Sequence, residues 1–432
     1  MKILAALLLI ISFLKGMSQE NLLPDYNCFS VLVGKNASVE GTLLYGHNDD
    51  DGFQLVNYYI EPRKNYPRGA GQTLQYGGRI PQVPATNKFL WLEVPGMEVS
   101  DGFMNDYGVC IGSNYCGSRE TESDTCRGGI LYDLRLIMAQ RAKSAREAIH
   151  IAGSLIEEFG YRGSGRSYCI SDREEAWVLS VVKGRRWAAY RFLEENYDRN
   201  DIFPFSFKPK KKVSKQKLME LLAGHSQGMQ EMDKTESCTI GNPYELNEGM
   251  ICNGGTIYSF VVESRPWMPV EIGTVMWLAP RRCDVQPFIP WYCGITRIPE
   301  NYSKKGYLNS LKDHYNPPSD IHQMSKDQAY WNFEILSANI NKNFIQKYPI
   351  AVTKKKKMET SLLKAQTKFE KGVLKKYEMD PVKAIEMITK YSNQQAYKSY
   401  KQTVALLRML KIPFPNAATK AVKIKDDVPA EN

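Results

Sequence analysis

Cys28 opens the run Cys28-Phe29-Ser30-Val31-Leu32-Val33-Gly34 just behind an apolar N-terminal leader. A cysteine in that place can become the first residue of a mature chain, and it then carries its own general base. A free α-amine titrates near pH 8, close enough to neutrality to accept the proton of a thiol. The thiolate is the nucleophilic form of cysteine, and pairing a nucleophile with an N-terminal amine is an established way to activate it. The chemistry implied is attack on an amide carbonyl by an N-terminal nucleophile. The competing reading of the same residue is an ordinary exported cysteine in a first strand or a disulfide.

The leader sets up this placement. Lys2 supplies a short positive region, Ile3 to Leu14 an apolar one, and Gly16-Met17-Ser18 small residues for signal peptidase. Residues 1–18 therefore read as a signal peptide with Gln19 as the new terminus. About a dozen apolar residues are too few to cross a hydrocarbon layer of ~30 Å, so no membrane anchor is expected in the mature form. Residues 19–27 read as a propeptide that needs a second cut, with autoprocessing the expected route, and exposure of the Cys28 amine depends on it. The destination is export, to a periplasm, the exterior or a secretory compartment.

The chain has 432 residues, 43% of them hydrophobic and 11% aromatic, enough to bury a large core. Its formal net charge is +10. Much of the excess lies in the lysine runs Lys208 to Lys217 and Lys354 to Lys376, which read as solvated faces. No helix-turn-helix, zinc finger or aromatic-basic RNA motif accompanies them, so nucleic acid is not an expected partner. Of nine cysteines, Cys110, Cys116 and Cys126 are close enough in sequence to pair, and isolated buried thiols are the equal alternative. No CxxC occurs and the five histidines lie far from the cysteines in sequence, so no metal site is expected.

The elements that must position Cys28 are mixed. Cys28 to Val33 and Thr42 to Tyr45 read as strands joined through 35–41 as a hairpin. Val109 to Ile111, Ser167 to Ile170, Ala176 to Val182, Trp187 to Phe192, Thr256 to Val262 and Gly273 to Leu278 read as further strands. Ser144 with Glu147 forms a capping box, and Ile149, Ala152 and Ile156 share one helical face before Gly160 stops the chain. Leu131 to Gln140 reads as a preceding helix, and from Asp327 onward the pattern is largely helical. The fold class is α+β, with a main unit over 28–325, a helical part over 326–420 packed on it, and a frayed tail over 421–432.

The motif Cys28-x-x-x-Leu32-Val33-Gly34-x-x-Ala37-Ser38-x-x-Gly41-Thr42, followed by Gly46-His47-Asn48-Asp49-Asp50, resembles the start of the dipeptidase-D family. That family is a branch of the cysteine N-terminal-nucleophile (Ntn) hydrolases that also holds the secernins. The likeness continues through Met104-Asn105-Asp106-Tyr107-Gly108-Val109, Ser171-Asp172 with Glu175-Ala176-Trp177, Pro287-Phe288-x-Pro290-x-Tyr292-x-Gly294, Ala329-Tyr330-Trp331-x-Phe333 and Tyr391-Ser392-Asn393. It implies a four-layer αββα sandwich, two antiparallel sheets between helical layers, and hydrolysis of small peptides without metal or organic cofactor.

The resemblance also implies roles. Cys28 corresponds to the nucleophile, Asp50 to an aspartate that holds its amine, and Asn114 to an amide that receives the oxyanion. A second family asparagine follows the Trp187 strand, where Asn200 stands in a shorter, irregular stretch. Alone, 48–52 would equally be a polar turn, and Asn114 a turn residue after Ile111-Gly112-Ser113. His47 stands where many relatives carry arginine, and a later family arginine is replaced by Glu248-Gly249-Met250 ahead of Ile251-Cys252-Asn253. Histidine cannot supply a permanent bidentate charge, so His47 would shape or tune the pocket. The expected partner is a small peptide or amide substrate. An acylase, a catalytically silent binding protein, and a papain-like pair using His47, His150, His225, His314 or His322 are the other readings. Oligomeric state is not legible in the sequence.

Overall fold

Stretches of β-branched and aromatic residues bounded by glycine and polar turns build two antiparallel sheets. A computed structural model describes residues 28–415 apart from 53, 123, 193–208, 226–241, 246–249 and 309–310. The leader, the 19–27 segment, Asn200 and the tail over 421–432 lie outside the described residues.

The strands of the two large sheets are β1 (Phe29–Val33), β2 (Leu43–Asp50), β3 (Asn57–Glu61), β4 (Phe89–Glu93), β5 (Gly102–Asn105), β6 (Cys110–Tyr115), β7 (Tyr161–Ser171), β8 (Ala176–Gly184), β9 (Trp187–Phe192), β10 (Thr256–Ser264), β11 (Thr274–Pro280) and β12 (Ile289–Tyr292), and two small two-stranded ribbons lie between β3 and β4. A five-stranded sheet runs β1-β2-β10-β11-β12, and a seven-stranded sheet runs β9-β8-β7-β6-β5-β4-β3. The hairpin of β1 and β2 forms as expected, with Val33 opposite Leu44 and Ser30 opposite His47.

The sheets share a core. Leu90, Leu92, Met104 and Cys110 of the larger sheet pack in one cluster with Tyr45, Tyr258 and Phe260 of the smaller. The opposite face of the larger sheet presents Trp91, Phe103, Ile111 and Ile170 to α1 (Tyr132–Arg141) and α2 (Ala145–Phe159). The α2 helix begins and ends where the capping chemistry places it. The Ser144 side chain accepts from the Glu147 N–H at 3.1 Å, and Gly160 takes φ +76, a conformation in which a Cβ would be strained.

The outer face of the smaller sheet is covered by α3 (Lys215–Leu222), whose Leu218 lies against Gly46. A long helical pair, α5 (Phe344–Met379) and α6 (Pro381–Met409), follows α4 (Ala329–Asn341). Phe369 and Tyr391 stack between the pair at 3.9 Å, and Gly294 after β12 lets Ile385 and Ile388 approach closely. The lysines at 354, 357, 364, 368, 371 and 375 are exposed along α5, as a solvated face requires. No helix among the described residues is long and apolar enough to cross a membrane.

Candidate active site

Ser30 pairs with His47 and Phe29 with Asn48 across the hairpin, so the register extended by one more residue sets Cys28 opposite Asp49. Strand alternation puts Cys28 and Ser30 on one face of β1, the face turned toward the larger sheet. Cys28 is half-buried as a residue. Protein packed around its sulfur pushes the thiol well above the ordinary value, and the charges of Asp49 and Asp50 push the same way. The backbone N–H of Asp50 and the Arg166 guanidinium oppose them. With Asn27 attached, Cys28 is therefore held as a thiol rather than a thiolate.

The polar stretch after Tyr45 is not a turn. Asn48, Asp49 and Asp50 all belong to β2, and they are buried together with Asp51. Each carboxylate has its own holder. Tyr258 Oη donates to Asp49 Oδ2 at 3.0 Å, Thr256 Oγ1 donates to Asp50 Oδ1, and Ser100 Oγ donates to Asp51. Asp49 Oδ1 and Asp50 Oδ2 are buried without a hydrogen-bond partner among the described residues. Asn48 sits on the other face, where its Nδ2 donates to the Leu222 and Ile251 carbonyls at 2.9 and 2.7 Å, closing the end of α3.

Three adjacent buried acids cannot all ionise cheaply. Burial, with Asp49 adding to it, raises Asp51 to about 7. Burial also holds Asp50 well above the carboxylate range, against hydrogen bonds from Thr256 and Asn253 and the charge of Arg281. The folded chain thus keeps protons that the unfolded chain, with ordinary aspartates near 3.9, has already released. Stability that is complete below about pH 4 is lost as pH rises toward 7. In thermal unfolding of the full-length chain, Tm is expected to fall by several degrees between about pH 5 and about pH 8. Asp51→Asn is expected to flatten that slope.

Asn114 is also not a turn residue. It lies in β6 opposite Ser167 of β7, facing the smaller sheet. Ser30 Oγ donates to Asn114 Oδ1 at 2.6 Å and lies 2.9 Å from His47 Nδ1. His47 is 0% exposed, with Nε2 3.5 Å from Asp49 Oδ2. The two sheets close tightly here because Gly112 has no side chain. A Cβ at that position would lie 2.5 Å from the Tyr45 hydroxyl and 3.4 Å from His47 Cδ2.

Cys28, His47, Asp50 and Asn114 are therefore brought together, while Asn200 lies outside the described residues. Of the other histidines, His322 is half-buried in the segment before α4, and the remaining three are engaged elsewhere or exposed. His150 is exposed on α2, His225 contacts Tyr244 and Asp284, and His314 pairs with Glu93 at 2.8 Å. Sequence reasoning missed Ser30, Asp49, Ser100, Arg166, Thr256 and Tyr258. Only Ser30 had a local signal, its spacing of two from Cys28 along a strand. Arg166 is buried and donates to Ser113 Oγ at 3.1 Å and to the Val99 carbonyl at 3.3 Å. None of the described cysteines is in a disulfide; Cys110 is buried, Cys126 half-buried and Cys116 exposed. Among the described residues no cluster of His, Cys, Asp and Glu could hold a metal ion.

Comparison with known proteins points to a family of peptidases. The family model of peptidase family C69 matches residues 27–199 and 193–357. A probable dipeptidase of Latilactobacillus sakei is 25% identical over 183 residues, 39% of this chain and 38% of the relative. A probable dipeptidase B of Lactococcus lactis is 26% identical over 203 residues, 42% and 41% of the two chains. A dipeptidase of Bifidobacterium longum is 27% identical over 199 residues, 39% and 36%. The chain spans about two fifths of the length of these curated relatives. The family model, by contrast, begins one residue before the candidate nucleophile and runs past both sheets into α5. With well over half its length matched in this way, the chain belongs to peptidase family C69.

Proposed function

We propose that this protein is an exported cysteine Ntn hydrolase that cleaves small peptides, dipeptides above all, after processing makes Cys28 its first residue. The observation that carries the reading is the pair of buried, unpartnered carboxylate oxygens, Asp49 Oδ1 and Asp50 Oδ2, beside the start of β1. A cluster of buried acids wants a cation with hydrogen-bond donors. The α-ammonium released by cutting the 27–28 bond is such a group, delivered at that place. The layer order, helices outside two facing antiparallel sheets, supports assignment to the four-layer αββα sandwich.

The mechanism follows from that geometry. The Cys28 amine, held by the aspartates, takes the thiol proton, and Sγ attacks the substrate carbonyl carbon. The Asn114 side-chain N–H stabilises the oxyanion. The amine passes its proton to the leaving nitrogen as the C–N bond breaks, leaving an acyl thioester. Water, deprotonated by the same amine, then breaks the thioester and restores the thiol. No metal or organic cofactor takes part. Before the cut there is no α-amine to act as base, and burial with the nearby acids holds the thiol neutral, so the unprocessed chain is latent.

The test is the N-terminus of the purified secreted protein, by intact mass and N-terminal sequencing, with dipeptides and N-acyl amides assayed on the same sample. Cys28 at residue one with dipeptide turnover is the expected result. Turnover of N-acyl amides instead would make it an acylase. A stable terminus at Gln19 with no turnover would make it a silent member, the reading favoured by His47, which is buried against Ser30 and offers a substrate no fixed charge.

A further inference from the structure

We propose that Ser30 is a positioning residue for this hydrolysis: its hydroxyl fixes which end of the Asn114 amide faces the substrate. The inference rests on the Ntn reading above.

An oxyanion amide works only with its N–H groups turned toward the developing charge. An asparagine side chain can present its oxygen instead, because the two ends are nearly the same in shape. Something must choose. Ser30 stands on β1 of the smaller sheet, two residues beyond Cys28 and on the same strand face. It reaches 2.6 Å across the gap between the sheets to Asn114 Oδ1 on β6. A serine hydroxyl has one proton, and here it is given to Asn114. The contact with His47 Nδ1 at 2.9 Å must then run the other way, with Nδ1–H donating to Ser30 Oγ. His47 is itself held between the Gly112 backbone and the Phe260 ring, whose centroid lies 5.2 Å from its own. Donation therefore passes from His47 to Ser30 to the Asn114 oxygen, and the Asn114 Nδ2 hydrogens are left for the substrate. No hydrogen bond from that nitrogen occurs among the described residues.

This arrangement gives His47 a role that arginine would not fill in the same way. It donates to Ser30 from behind and polarises the hydroxyl toward Asn114, without touching substrate.

The experiment compares Ser30→Ala and Ser30→Thr with the unsubstituted enzyme, on protein whose N-terminus is Cys28 by intact mass. Ser30→Ala is expected to lower kcat for dipeptides on the order of 10- to 100-fold, with KM within about threefold. Alkylation of Cys28 by iodoacetamide, which needs no oxyanion hole, is expected to stay within about twofold. Ser30→Thr, which keeps the hydroxyl, is expected to restore most of kcat. Asn114→Ala added to Ser30→Ala is expected to cost little more, because both act through one amide. If Ser30→Ala does not fold, Ser30→Val against Ser30→Thr makes the same comparison between side chains of equal shape. A kcat for Ser30→Ala within twofold of the unsubstituted enzyme, equal activity of the Thr and Val variants, or parallel loss of alkylation overturns the assignment and leaves the Ntn reading intact. An unsubstituted enzyme with no turnover, or with turnover that survives Cys28→Ala, removes the Ntn reading and this assignment together.

Discussion

Cys28→Ala is expected to reduce dipeptide hydrolysis to the uncatalysed background, a loss on the order of 10⁴-fold or more, while the protein still folds. The size follows from the site. In the proposed mechanism Cys28 supplies the attacking sulfur, and among the described residues Cys110, Cys169, Cys252, Cys283 and Cys293 are all buried. Burial raises Cys169 to about 11 and Cys293 to about 12, and it pushes Cys110 and Cys252 well above the ordinary thiol range. Stability should change little, because the change removes a single sulfur, neutral in the unprocessed chain, from a half-buried residue just before β1. Cys28→Ser should keep at most a trace of activity, since a hydroxyl is the weaker nucleophile. Product chromatography with a folding check by circular dichroism reads both variants. Appreciable turnover by Cys28→Ala would sink the thioester mechanism. Thiol-directed probes need Cys116 as their background, because it is exposed.

The largest expected effect on stability lies away from the nucleophile. Glu370 on α5 receives Arg265 Nη1 and Nη2 at 2.5 and 2.8 Å, the Tyr292 hydroxyl at 2.9 Å and Gln366 Nε2 at 2.9 Å. Arg265 also donates to the Ile272 and Gly273 carbonyls at 3.0 and 3.2 Å. Nearby, Lys215 Nζ meets Glu263 Oε2 at 2.9 Å, so two cations and two anions balance inside the protein. Their mutual attraction keeps Glu263 below the usual carboxylate range despite its burial. Glu370→Gln preserves the shape but leaves the buried Arg265 with reduced compensation. The expected cost is about 3 to 5 kcal/mol, the range for breaking a buried pair from one side. The double variant Arg265→Met with Glu370→Leu should cost less than the sum of the single changes. Urea denaturation measures both, and a loss below about 1 kcal/mol for Glu370→Gln would show that the pair does not hold α5 to the sheet.

Much of this protein was legible along the chain. The apolar run behind Lys2, the small residues at 16–18 and the position of Cys28 define a candidate nucleophile without any fold. Ser144, Glu147 and Gly160 bounded a helix correctly, because capping is a matter of residues three or four apart. Six strands and the first hairpin were recognisable for the same reason: alternation and turn residues act locally.

Only the tertiary structure decided that 48–50 are strand rather than turn. Nothing local marks Asn48-Asp49-Asp50 as buried; they are covered because β10 pairs with β2 on one side and β1 on the other. Strands β3, β4, β5 and β12 gain their place from neighbours in the sheet rather than from a pattern of their own. The working contacts of the site are equally remote: Ser30 with Asn114 is 84 residues apart, Thr256 with Asp50 is 206, and Tyr258 with Asp49 is 209. Residue type and spacing therefore singled out candidate groups for the chemistry. Which carboxylates are buried, which hydroxyl holds each, and which way the Asn114 amide faces were decided by closing two sheets over one another, since burial and hydrogen-bond geometry exist only once distant strands share a core.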